Sequence, residues 1–228
     1  MKHRLSLIDH LTIGVFAIQA AFALYIGLYG PATPMPMHWN SDWEVDRWGD
    51  RIDFAVQSGG LGVIGLLAAG GLGLGAIRAA AEGDAARCRS LRIAQGISLF
   101  TFAAIGLLIV WTGLGHATAE TGPAVAMAGV SMILLVTGAF LGRVAPNPLV
   151  GVRTPWSYKS RLAWDRSNRL AGRLLCLLGL AGLIAAPVAS QPAGTYGLVG
   201  GAILSAVLSI FESWRVWRAD PDRQQRHR

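Results

Sequence analysis

His38, Asp42 and Asp46 recur at four-residue intervals in PATPMPMHWNSDWEVDRWGDR, Pro31 to Arg51. One imidazole and two carboxylates so spaced could hold a zinc ion. His116 and Glu120 fall on the same expected side of the chain and could complete the ligand set. A second concentration lies in PNPLVGVRTPWSYKSRLAWDRSNRLAG, Pro146 to Gly172, where Arg153, Thr154, Pro155 and Trp156 precede Trp164, Asn168 and Arg169. The planar fork of arginine suits bidentate contact with a phosphate, so an anionic phospholipid headgroup is a candidate ligand here. Acid–base catalysis on the same stretch would fall to Asp165, Tyr158 or Lys159, none with an activating partner evident in sequence.

Both concentrations sit between long apolar runs, and those runs decide what can position them. Of 228 residues, 53% are apolar and 14% charged, with a formal charge of +7. That balance is too apolar for a water-soluble domain and fits several membrane spans. The arginines cluster in a few connections, as topology determinants do, which argues against a direct nucleic-acid partner. Cys88 lies in a basic connection and Cys176 in an apolar run, so the two should not meet in a disulfide.

A hydrocarbon core of about 30 Å needs roughly 20 apolar helical residues. Six segments pass: Leu11 to Tyr29, Phe54 to Ile77, Leu91 to Gly115, Pro123 to Leu141, Leu170 to Val188 and Thr195 to Trp214. The first carries Lys2 and Arg4 ahead of it and an Ala21-Phe22-Ala23 that resembles a cleavage site, but its apolar stretch runs on to Tyr29, so an uncleaved span is expected. The GLGLG of the second follows no strand and reads as helix packing, with Gly71 and Gly75 at the small-xxx-small spacing. Eighteen of the 20 Lys and Arg fall on one side of this arrangement and two on the other. The positive-inside rule then places both termini and the Arg143 to Arg169 connection in the cytoplasm, and the Gly30 to Asp53 connection outside. The expected fold is an all-α integral membrane protein with six transmembrane helices. A two-helix region spans 1–80, with its acidic, Trp-rich loop at 30–53, and a four-helix region spans 81–228, with its basic loop at 143–169.

The outer loop also has a reading without metal. An ordered hairpin or short helix would lie at the lipid surface, with Trp39, Trp43 and Trp48 at the interface and Arg47 and Arg51 answering the carboxylates. Its His38, Trp39, Asn40, Asp46, Arg47 and Trp48 would then suit capture of a cationic, amphipathic peptide. On the inner loop, Pro146 and Pro148 around Asn147 should stop the fourth span, and Thr154-Pro155 should cap a short helix. Along that helix Tyr158 and Leu162 would share a face at the membrane surface, with Trp156 and Trp164 as anchors.

NPLVGVRTPWS followed by Trp164 and SNRLAGR resembles the core motif of the SdpI family, bacterial multi-span proteins named for immunity against a secreted peptide toxin. The earlier MPMHWNSDWEVDRWGDR resembles a small domain that often accompanies it. In the resembling patterns a glycine stands at the position of Trp43, a lysine at Arg51 and a histidine at Asn168. The resemblance implies a non-enzymatic membrane protein of immunity or signalling, whose outer face meets a toxic peptide and whose inner loop passes the event on or holds a cytoplasmic repressor. A membrane enzyme or lipid-binding protein acting on a phosphate-bearing headgroup is a second reading, and a small transporter a third. The third has little to rest on: Asp9, His10 and Glu212 lie near span ends, leaving Gln19, Gln57 and Gln95 as the polar groups furthest inward.

Overall fold

A computed structural model describes residues 5–40, 43–116 and 121–222. Among the described residues, six helices are long and apolar enough to cross a membrane. They are α1 (Leu7–Tyr29), α2 (Arg51–Ala81), α3 (Ala85–Trp111, continued by a π-helical turn Thr112–His116), α4 (Gly122–Leu141), α6 (Arg161–Ala185) and α7 (Ala193–Arg218). Two small elements complete the fold: a hairpin of β1 (Met35–Trp39) and β2 (Val45–Gly49), and α5 (Pro155–Lys159). A largely helical chain follows from the solvent, because a spanning segment must satisfy its backbone internally.

Several helices extend past the apolar runs. α2 and α3 are joined by Glu82 to Asp84 alone, so Arg78, Arg87, Arg89 and Arg92 ride on helix ends where a longer basic connection was expected. Asp84 caps α3 by accepting the Arg87 amide at 2.9 Å. α6 starts at Arg161, nine residues before the fifth apolar run, because Ser160 takes an extended conformation and accepts the Ala163 amide at 3.0 Å. Much of the expected 143–169 loop is therefore helix. Ser160 also ends α5, so Tyr158 and Leu162 belong to different helices and share no face.

Packing pairs α1 with α2, α2 with α3, α4 with α6 and α6 with α7. The glycines that bring α2 close to its neighbours are not Gly71 and Gly75. A methyl group on Gly71 would meet nothing within 4 Å, and one on Gly75 would meet only the Leu91 tip. On Gly65 it would strike the Phe16 ring at 2.4 Å, and on Gly73 the Asp9 carboxylate at 2.8 Å. Across the second half, Gly138 and Gly179 bring α4 and α6 to backbone contact: added methyls would lie 2.4 Å from the Cys176 nitrogen and 2.5 Å from the Leu135 nitrogen.

Asp9 is buried although it stands near a span end. It receives Arg92 of α3 in an ion pair and Gln95 at 3.1 Å, and Gln95 also donates to Thr12 at 3.1 Å. Gln19 donates to the Ser58 carbonyl at 3.0 Å, tying α1 to α2. The polar groups of the first three helices thus act mainly on one another.

Candidate functional site

The outer loop folds as a hairpin whose apolar side, Met35 and Met37, packs with Phe22, Ile26, Phe54 and Ile109. Trp39 and Trp43 sit with ring centroids 6.3 Å apart, while Trp48 is exposed. Trp43 has φ 63°, the left-handed region that glycine enters readily, at the position where the resembling pattern carries glycine. Asn40 accepts the Glu44 amide at 2.9 Å across this turn. His38 Nδ1 lies 2.6 Å from the Asp46 carboxylate, joining the two strands. Arg47 and Arg51 form no ion pair with a described carboxylate, contrary to expectation; Asp50 and Asp53 instead form the capping box of α2. Strand β1 packs against the Thr112–His116 turn. Asp42, Glu120 and the His116 side chain lie outside what the structure describes, and among the described residues no three metal-ligating side chains gather.

The second concentration is built from its backbone outward. α4 ends at Leu141, and the chain then turns on Asn147. The Asn147 side chain accepts the Leu149 and Val150 amides at 2.9 and 2.8 Å and donates to the Ala145 and Val150 carbonyls. A prolyl residue on each side restricts φ and removes two donors that would otherwise need partners. Ser90 of α3 accepts the Ala145 amide at 2.6 Å. Gly151 has φ 130°, and a methyl there would meet Asn168 Oδ1 at 2.8 Å and the Trp164 ring at 2.9 Å. Only glycine lets the loop lie this close to α6.

Trp164 and Asn168 hold the loop from beneath. Trp164 is completely buried and donates its indole N–H to the Val144 carbonyl at 2.6 Å. Its burial corrects the expectation of a membrane-surface anchor: it stands one turn into α6, on the face turned toward the loop. Asn168, 1% exposed, accepts the Val152 amide at 2.8 Å and donates to the Trp164 carbonyl at 2.9 Å. A neutral imidazole nitrogen can also accept an amide proton, so the family pattern's histidine and this asparagine can serve one positioning role.

Thr154 caps α5 by accepting the Ser157 amide at 3.0 Å, with proline next as expected. Its hydroxyl also pairs with that of Ser213 on α7 at 2.8 Å, and Ser160 donates to the Asp220 carboxylate. The C-terminal end of α7 therefore clamps the short helix. Ser157 donates to the Val152 carbonyl at 2.7 Å, and Tyr158 to the Asn147 carbonyl at 2.8 Å. Arg153 points outward and donates to the Pro148 carbonyl; Pro155, Tyr158 and Lys159 are exposed and Trp156 is half-buried. Arg169 does not join this cluster but lays its stem over Gly142, just past the end of α4.

The result is a platform whose loop backbone is hydrogen-bonded inward and whose Arg153, Tyr158 and Lys159 are exposed. Such a face can bind an anion or a partner surface. Ser90, Ser157 and Ser213 add hydrogen bonds to it and were not singled out from sequence. The Pro-Asn-Pro triplet did signal the turn, but nothing local marks Ser213, 59 positions from Thr154.

Comparison with known families falls on this same region. Residues 143–213 match the SdpI/YfhL protein family. Over 51 residues the chain is 35% identical to the Immunity protein SdpI of Bacillus subtilis (strain 168), an alignment covering 22% of this chain and 25% of that protein. No solved structure matches. With six apolar helices among the described residues, the chain is a multi-pass bacterial membrane protein that is similar, through residues 143–213, to the SdpI/YfhL protein family.

Proposed function

We propose that the protein confers immunity at the bacterial cytoplasmic membrane, sensing or neutralising a toxic cationic peptide and holding a cytoplasmic regulator through the loop that carries Arg153. The observation that carries this reading is a coincidence of two boundaries. The segment that matches an immunity protein's family is the one whose backbone is locked from within by Asn147, Trp164 and Asn168, while Arg153, Tyr158 and Lys159 remain exposed. A loop ordered in advance binds a partner at lower entropic cost.

The peptide would meet the opposite face. Residues 30–53 hold five carboxylates, Asp42, Glu44, Asp46, Asp50 and Asp53, against Arg47 and Arg51. An acidic surface with exposed Trp48 and half-buried Trp39 speeds encounter with a cation and offers aromatic contact area. Coupling between the faces would pass through the helices that join them.

The test is survival. Expression in a bacterium sensitive to a cationic membrane-active peptide should raise the inhibitory concentration several-fold, and Arg153→Ala should abolish the rise while the protein still accumulates in the membrane. Unchanged sensitivity across such peptides, with no cytoplasmic protein retained by the detergent-solubilised chain, would remove the reading.

A further inference from the structure

α4 and α6 run antiparallel and touch through glycine, which leaves a groove along their outer side. Its volume is about 640 Å³, and its lining includes Ala139, Arg143, Arg169, Arg173, Cys176 and Leu177. Gly138 and Ala139 line it from α4, and Gly142 and Arg143 from the turn just past that helix; on α6, Arg169, Arg173, Cys176 and Leu177 fall on one stripe. Three arginines, one from the turn after α4 and two from α6, thus line the end nearer the loop, and apolar side chains continue from there toward the span's middle.

None of the three has a carboxylate. Arg143, Arg169 and Arg173 form no ion pair among the described residues, and all three are exposed. Arg143 lies over the Phe140 ring at 5.5 Å. The nearby acid Asp165 is paired to Arg161. Position makes the unpaired cations costly: Arg173 stands twelve residues into α6, within a stretch that must enter the hydrocarbon, so its head must reach outward along its own stem. A phosphodiester at the groove's mouth would satisfy all three forks with charge-assisted hydrogen bonds, and an acyl chain would lie on Ala139 and Leu177.

We infer that this α4/α6 groove is a binding site for a single anionic phospholipid. Topology alone asks only that arginines lie on the inner side; it does not ask that three from two segments of the chain line one cleft with an apolar continuation. Arg166, exposed on α6 and absent from the lining, shows the ordinary case. The site is separate from the Arg153 loop and stands or falls independently of the immunity reading.

Native mass spectrometry of the full chain in detergent, titrated with phosphatidylglycerol, tests it. One tight phosphatidylglycerol adduct is expected, with phosphatidylethanolamine and inorganic phosphate far weaker. Arg169→Ala with Arg173→Ala should weaken that adduct about thirtyfold, whereas Arg166→Ala should leave it unchanged. Ala139→Trp fills the groove with every cation retained and should also remove the tight adduct; it carries the test if the double arginine variant fails to accumulate. An adduct that survives Ala139→Trp, is lost equally with Arg166→Ala, or is displaced by inorganic phosphate at matching concentration would overturn the proposal.

Discussion

Asn168 accepts the backbone amide of Val152 at 2.8 Å, sixteen residues away, from a position almost wholly closed to solvent. This bond ties the Arg153 loop to α6 beside the Trp164 contact with Val144. Asn168→Ala should cost about 1–3 kcal/mol, because the Val152 amide is left without its acceptor. Thermal unfolding in detergent should show the loss, and limited trypsin digestion should cut faster after Arg153. An unchanged cleavage rate would mean that the loop is held by other contacts.

Trp164 works at the same place through volume. It is fully buried, with its ring 5.6 Å from that of Tyr158 and its N–H on Val144. Trp164→Ala should cost about 3–5 kcal/mol by leaving a cavity beneath Gly151. Trp164→Phe should cost less, since it keeps most of the packing while losing the bond to Val144. Equal thermal midpoints for the two variants would place the loss in the hydrogen bond.

The Asp9–Arg92 pair predicts a coupling between distant parts of the chain. Asp9→Ala strands Arg92 against Gln95 and should destabilise by about 3 kcal/mol. Adding Arg92→Leu should recover part of that loss, since an apolar pair often replaces a buried ion pair without penalty. If the double variant is less stable than either single one, the two side chains act elsewhere.

Gly179 on α6 and Gly197 on α7 differ in what surrounds them. Gly179→Leu should drive α4 and α6 apart by more than about 1–3 kcal/mol, because its neighbour is backbone and cannot move aside. Gly197→Leu on α7, where an added methyl would meet nothing within 4 Å, should be tolerated. Thermal unfolding of the two variants side by side is the check, and equal losses would argue against backbone contact between α4 and α6.

Orientation can be read by labelling. With Cys88 and Cys176 replaced by alanine, Trp48→Cys should react with an impermeant maleimide on intact cells, and Tyr158→Cys only after the membrane is opened. Reaction of both from outside would exclude the arrangement with cytoplasmic termini that the basic connections imply.

What the amino-acid order determines alone is the set of spans. Apolar length against bilayer thickness picks out six helices, because no other open-chain element hides its backbone from lipid. The turn at Pro146-Asn147-Pro148 and the cap at Thr154-Pro155 were legible as well, since each depends on one residue's own backbone limits or on a neighbour three positions away. Sequence placed α6 too late, because Ser160's cap extends the helix out of the hydrocarbon, where polarity no longer marks it. It placed Trp164 at the membrane surface, because an amphipathic side chain looks the same whether it meets headgroups or a loop folded over it. Tertiary structure alone decided that Asp9 meets Arg92, that Thr154 meets Ser213, and that Arg143 joins Arg169 and Arg173 in one groove. Those pairings are set by which helices touch and in what register, and in lipid that choice rests on small residues and hydrogen bonds rather than on apolar patterning.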